Sequence, residues 1–364
     1  MKRLILIFTG LCGLLAGPIM ADDKIWIDQT ALETFLDDAA AKGFVGVVGV
    51  SGPNGTLYTR AYGDAVAGQT AYTPDTIVDI ASISKQFTGA AILKLREEGR
   101  LTLDDPLSRF LPSAPDDKAA ITLHQLLTHT AGFPDVIGAD EEAIPRADYI
   151  GRAFKAPLLF SPGARYEYSN VGYSLLAAVI EQASGMTYEA YLRDRLWKPA
   201  GMFMTGYYLP DYTGRTFPRT EEGVSGLHGA DELLARTGGN TWHLYGNGGI
   251  LSTVEDMLRW HRALLGDGIL SADSKALLFT PHVPEDAQGV YHYGYGWSIV
   301  PDYRGKKLVW HNGGGYFTRA DFWRFPEDGT AFFLASHGGD VEPYKVADGL
   351  AEILQGRTPK PVKP

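Results

Sequence analysis

Asp79-Ile80-Ala81-Ser82-Ile83-Ser84-Lys85-Gln86-Phe87-Thr88-Gly89-Ala90-Ala91-Ile92-Leu93 is the stretch whose reading decides the architecture. Phe87, Ala90, Ala91, Ile92, Leu93 and Leu95 recur at helical spacing as far as Gly99, which predicts a helix over residues 84–98 with Ser82 at its start. Residues three apart lie on one helical face, so Ser82 and Lys85 are expected to be neighbours. A serine hydroxyl is a poor nucleophile until a base takes its proton. A lysine amine is such a base when burial or nearby cations lower its pKa. The helix N-terminus adds partial positive charge and N–H groups where an oxyanion could form. Taken alone, the same four residues also describe an N-cap serine followed by a solvated lysine.

Two later segments favour the chemical reading. Tyr168-Ser169-Asn170 follows Phe160-Ser161-Pro162-Gly163, and His311-Asn312-Gly313-Gly314 follows the apolar Leu308-Val309-Trp310. Ser-x-x-Lys, then Tyr-x-Asn, then a Lys/His-x-Gly strand resembles the ordered signature of the serine penicillin-recognising enzymes. The branch it is most similar to holds class C β-lactamases, D-Ala-D-Ala carboxypeptidases, D-aminopeptidases and β-lactamase-like esterases. Leu126-Leu127-Thr128-His129-Thr130-Ala131-Gly132, Leu196-Trp197-Lys198-Pro199-Ala200-Gly201-Met202 and residues 248–257 extend the resemblance over roughly residues 45–336.

The resemblance implies a role for each matching residue. Ser82 would be the acyl-accepting nucleophile, with Lys85 and Tyr168 as its proton carriers; which of the two is the main base stays open. Asn170 would turn its amide to Lys85 or to a substrate carbonyl, the alternative being an N-cap of the next helix. The backbone N–H groups of Ser82 and Gly314 would form the oxyanion hole, and Gly313 would let substrate approach the strand edge. His311 stands where β-lactamases have a lysine, which weakens an antibiotic-hydrolysing role and favours ester or D-peptide substrates. If it meets a substrate carboxylate, it should titrate near its ordinary value of roughly 6.5. Arg319 is a second candidate cation, or else a surface residue.

Other features bound the function. Lys2 and Arg3, an apolar run over residues 4–15, and Gly17-Pro18-Ile19-Met20-Ala21 read as a signal peptide over residues 1–21. The run is short for a bilayer span, so no stable membrane anchor is expected after cleavage. Leu11 is too large for a lipoprotein box before Cys12. Cys12 is the one cysteine of the 364 residues, so the mature chain has neither a disulfide nor a thiol nucleophile, which suits a bacterial periplasm. A net charge of −10 argues against a nucleic-acid partner. The histidines lack metal-ligand spacing and no Gly-x-Ser-x-Gly elbow is present, so neither a metal, another cofactor nor an α/β-hydrolase is expected.

Strand-like segments at 44–50, 57–62, 293–300, 307–310, 320–325 and 330–336 flank a helical centre at 84–98, 123–128, 170–183 and 188–196. Helices are also expected at 29–41 and 341–354. The expected fold is an α/β domain with an antiparallel sheet, made of residues 22–80 and 241–358, around an inserted, mainly helical domain of residues 81–240. The expected function is an exported serine hydrolase that forms an acyl-enzyme on Ser82 and acts on a small-molecule ester, amide or peptide. The alternatives are a class C-like β-lactamase and a penicillin- or peptidoglycan-binding protein with slow or no turnover.

Overall fold

A computed structural model describes residues 27–362; the expected signal peptide at 1–21 lies outside them. An eight-stranded sheet forms the frame. Its strands are β1 (Phe44–Gly52), β2 (Gly55–Tyr62), β3 (Val283–Pro284), β4 (His292–Tyr293), β5 (Ser298–Tyr303), β6 (Lys306–Gly314), β7 (Arg319–Phe325) and β8 (Thr330–Gly339). Their order is β2-β1-β8-β7-β6-β5-β4-β3, and every pairing is antiparallel. Strands from the two ends of the chain meet where Val48 pairs with Leu334.

Both faces of this sheet are covered, and the period-two alternation of a strand sorts side chains between them. Val47, Phe333 and Ala335 enter one core; Val48, Val50, Phe332 and Leu334 enter the other. Helices α1 (Gln29–Ala41) and α6 (Pro343–Leu354) cover the second face, meeting where a Cβ on Gly349 would lie 2.0 Å from the Phe35 ring. Helix α5 (Val254–Ala263) covers the first face and rests on Gly49, where an added Cβ would lie 2.4 Å from Val254.

The central helices are α2 (Lys85–Glu97), α3 (Leu123–Leu127) and α4 (Asn170–Ser184). Helix α2 is buried on nearly every side, as befits a helix at the centre of a large core. It packs on α4. Glycines let the neighbouring chain close on it. A Cβ on Gly89 would lie 2.3 Å from the Tyr295 carbonyl oxygen, and one on Gly296 would lie 2.3 Å from that of Lys85.

The expected elements are present in this architecture, with differences in detail and with further helices, among them Arg146–Lys155, Ala230–Thr237 and Ala272–Leu278, that the sequence reading did not include. The segment 293–300 is not one strand: Gly294 to Trp297 interrupt it, and Gly296 adopts φ +82°. The helix expected over 188–196 ends at Leu192 and continues as a wider turn, Arg193–Trp197. Helix α5 was not expected at all, because its apolar face is short and interspersed with Glu255, Asp256, Arg259 and Arg262.

Candidate active site

Residues 78–80 are fixed before the turn that presents Ser82. Val78 pairs with Ser252, Asp79 with Leu251, and the Ile80 N–H donates to the Ile250 carbonyl at 2.9 Å. Ala81 then adopts φ 45°, a left-handed conformation that an alanine holds only under constraint. Its N–H donates to Asp79 Oδ1 at 2.8 Å. A tight turn over Ala81–Ser84 follows, so the regular helix begins at Lys85 and not at Ser82. Strand β6 presses on this turn. A Cβ on Gly313 would lie 2.3 Å from the Ile80 carbonyl oxygen. Gly313, expected on the substrate side, thus faces the nucleophile's own backbone and sets the distance between strand and turn.

Lys85 is fully buried, and its amine meets three oxygens. Nζ lies 2.6 Å from Asn170 Oδ1, 2.7 Å from the Asn247 carbonyl and 3.2 Å from Ser82 Oγ. Burial pulls the amine down to about 7, while the carboxylates of Asp135 and Asp140 push it the other way. A neutral amine has two N–H bonds and one lone pair. The two short contacts use the N–H bonds, which leaves the lone pair for the Ser82 O–H. Asn170 can serve here because Ser169 is the N-cap of α4, accepting from Gly172 N–H at 3.1 Å. Asp135 Oδ1 accepts from the Asn170 amide at 2.9 Å and thereby turns Oδ1 of Asn170 towards the lysine.

Tyr168 lies on the other side of Lys85, with its ring centre 4.7 Å from Nζ. Burial raises its hydroxyl above the ordinary range, opposed by a hydrogen bond with Ser82. The phenol is therefore neutral at rest. The His129 ring packs against it, tilted by 34° with centres 4.4 Å apart, and accepts from the Ser169 N–H through Nδ1 at 3.0 Å. His129 thus holds the Tyr168 ring and the backbone that follows it.

His311 lies on β6 with its ring buried. Nδ1 is 2.6 Å from the Asn312 carbonyl, which can only accept, so Nδ1 bears the proton. Nε2 then accepts from the Tyr293 hydroxyl at 3.1 Å. Burial, with the Lys85 charge behind it, pushes this imidazole down to about 3. The expected titration near 6.5 is thereby corrected: both ring nitrogens are occupied in the neutral form, and a proton on Nε2 would lose the Tyr293 bond. Arg319 supplies no cation in its place, since its guanidinium folds back onto the Gly315 and Thr318 carbonyls.

Ser82, Tyr168, His311 and Gly314 line one cleft of about 310 Å³ with Glu285, Tyr293, Ser298, Trp310 and Asn312. Lys85 and Asn170 stand behind Ser82. Sequence reading missed three contributors. Asn247 acts through its backbone carbonyl, which no side-chain motif reveals; the glycines at 246, 248 and 249 were the available signal. Asp135 acts through Asn170, and Glu285 sits in what reads as a solvated Pro284-Glu285-Asp286 turn. Among the described residues, no group of three His, Cys, Asp or Glu side chains could hold a metal ion.

The Beta-lactamase family model matches residues 31–356. The chain belongs to the Beta-lactamase family, whose members include β-lactamase-fold serine hydrolases. It is 29% identical over 308 residues to Penicillin-binding protein 4* of Bacillus subtilis, covering 80% of this chain and 67% of that protein. To the D-alanyl-D-alanine-carboxypeptidase/endopeptidase AmpH of Escherichia coli it is 26% identical over 324 residues, covering 81% and 80%. Among solved structures, the octameric penicillin-binding protein homologue from Pyrococcus abyssi superimposes with a TM-score of 0.78 at 26% identity, covering 92% of this chain and 79% of that one. The fold read from the sequence, an antiparallel sheet flanked by helices, is that of this family.

Proposed function

We propose that the protein is an exported hydrolase that acylates Ser82 with a small ester, amide or D-amino-acid peptide and releases the acyl group to water. The observation that supports this best is the buried Lys85 amine, 3.2 Å from Ser82 Oγ with its two N–H bonds directed elsewhere.

Lys85 takes the Ser82 proton as Oγ attacks the carbonyl carbon. The resulting oxyanion faces the N–H groups of Ser82 and Gly314. Each such donor typically lowers the barrier by about 2.7–4 kcal/mol. Tyr168, neutral and beside Ser82, gives its proton to the leaving group as the C–X bond breaks and regains one from Lys85. Water then attacks the acyl carbon, losing its proton to the same pair, and Ser82 leaves with a proton restored. Lys85 is the base in this reading because its pKa is drawn towards neutrality, whereas burial holds Tyr168 in the protonated form.

The substrate range follows from His311. A neutral imidazole with both nitrogens engaged offers no charge to a carboxylate, which disfavours the β-lactamase alternative. The names of two relatives, a penicillin-binding protein and a D-alanyl-D-alanine carboxypeptidase, support an acyl group from D-amino acids. Export rests on residues 1–21 alone. Among the described residues no helix is long and apolar enough to cross a membrane.

A fluorophosphonate probe tests the nucleophile. The adduct should map to the peptide holding Ser82, and Ser82→Ala should lose both labelling and turnover of a nitrophenyl ester. An adduct on Ser225 with turnover intact in Ser82→Ala would overturn the reading.

A further inference from the structure

The geometry points to Glu285 as a specificity residue that selects substrates bearing an ammonium group close to the scissile bond. This inference rests on the Ser82 reading and deepens it. Glu285 follows β3 and lines the same cleft of about 310 Å³ as Ser82, Tyr168 and His311. One small ligand in that space therefore meets the carboxylate and the nucleophile together.

The carboxylate is poised for a ligand. Oε1 accepts from Ser298 Oγ at 2.5 Å, which fixes its rotamer. No Lys, Arg or His pairs with it among the described residues. An ionised carboxylate in a half-buried cleft is incompletely compensated, so a cation with N–H donors is its natural complement. Burial pushes it up to about 6, which leaves it ionised at neutral pH. Its charge also reaches Tyr168 and Tyr293, two residues of the cleft wall, and Tyr166 behind them.

The rest of the site has the same polarity. Asp135 and Asp140 act on Lys85 from its far side. Neither cationic candidate brings a charge to the cleft: His311 lines it in the neutral form, and Arg319 is folded onto the 315–318 turn. Trp310 and Tyr293 complete the wall beside Glu285 with aromatic surface, on which a cation also rests favourably. A carboxylate-bearing substrate would meet Glu285 with no counter-charge. An amine-bearing one would replace the missing partner.

The ammonium could belong to the acyl group, as in an aminoacyl compound, or to the leaving group. Two substrate pairs separate these sources in the full-length protein. The first is D-alanine p-nitroanilide against its N-acetyl derivative, repeated with the L-enantiomers. The second is S-(2-dimethylaminoethyl) thioacetate, whose protonated amine keeps one N–H donor, against S-butyl thioacetate. The cationic member of one pair should be preferred by about ten-fold or more in kcat/KM, mainly through KM. Glu285→Gln should bring that ratio near one. Glu285→Lys should reverse it, so that an N-succinyl anilide becomes the better substrate. Thermal melting of both variants checks their folding. No preference in the native protein, or a ratio unchanged in Glu285→Gln, would overturn the proposal while Ser82 labelling still stands. Accumulation of acyl-enzyme in Glu285→Gln with every substrate would also overturn it, since the carboxylate would then act on water. Absence of fluorophosphonate label on Ser82 would remove the nucleophile and this inference together.

Discussion

Lys85 holds its amine 3.2 Å from the Ser82 hydroxyl while giving shorter hydrogen bonds, 2.6 and 2.7 Å, to two other oxygens. The longest of the three contacts is the one along which a proton has to move. Only the neutral amine can take it. Since burial draws Lys85 to about 7, kcat/KM for a neutral ester should rise with pH through about 7 and level off above. Lys85→Ala should lower kcat/KM by about 10²–10⁴ and abolish that limb. A flat pH profile in the native protein would contradict Lys85 as the base.

Asp135→Asn should move the same limb to lower pH. The Asp135 carboxylate raises the Lys85 pKa, so removing its charge lets burial depress the amine further. Because Asp135 is exposed, screening keeps the shift under about one unit. Asparagine retains an acceptor for the Asn170 amide, which keeps the lysine's partner in place. The acid limb of kcat/KM reads the shift directly.

His311 should be silent between pH 5 and 8. Its imidazole is pushed down to about 3, far below that window. KM for an ester carrying a carboxylate should show no inflection near roughly 6.5, the ordinary histidine value. Tyr293→Phe removes the donor to Nε2 and opens that nitrogen to a proton. An inflection that appears in this variant and not in the native protein would tie the neutral state to the Tyr293 bond.

Gly313→Ala should damage both activity and stability. The new methyl would meet the Ile80 carbonyl oxygen at 2.3 Å, and both neighbours are backbone held by pairing. Relief requires β6 to move off the Ser82 turn. A loss of about 1–3 kcal/mol in stability is expected from overpacking of this kind. Turnover should fall more than stability does, because Gly314 moves with the strand. Denaturant unfolding and kcat on one preparation compare the two effects.

His261 should contribute to acid unfolding. It is fully buried beneath the sheet, where Nε2 donates to the Gly329 carbonyl at 2.9 Å and Nδ1 accepts from Arg324 Nε at 3.0 Å. Burial and the Arg324 charge push it down to about 3. Between that value and roughly 6.5 the unfolded chain binds a proton that the folded chain does not, so stability falls as pH drops through this window. His129 and His311 act with the same sign. His261→Gln should make the dependence of Tm on pH shallower across it.

Much of this protein was legible in its sequence because local rules sufficed. The helical spacing after Lys85, the alternation within 330–336 and the glycine turns depend on neighbours within a few residues. Three short motifs in fixed order named Ser82, Lys85, Tyr168, Asn170 and His311, and the structure gathers all five at one cleft or directly behind it. Their states were not legible. Whether His311 is a cation depends on a tyrosine 18 positions away and on burial by the assembled sheet. Lys85 becomes a plausible base only when the Asn247 carbonyl, 162 positions distant, and Asn170 close around it. Glu285 reads as a solvated turn residue until the sheet lays it in the same cleft as Ser82. The sequence by itself determined which side chains are present and how each segment folds. Tertiary structure decided their protonation, because desolvation and charge act through space on groups that the chain keeps far apart.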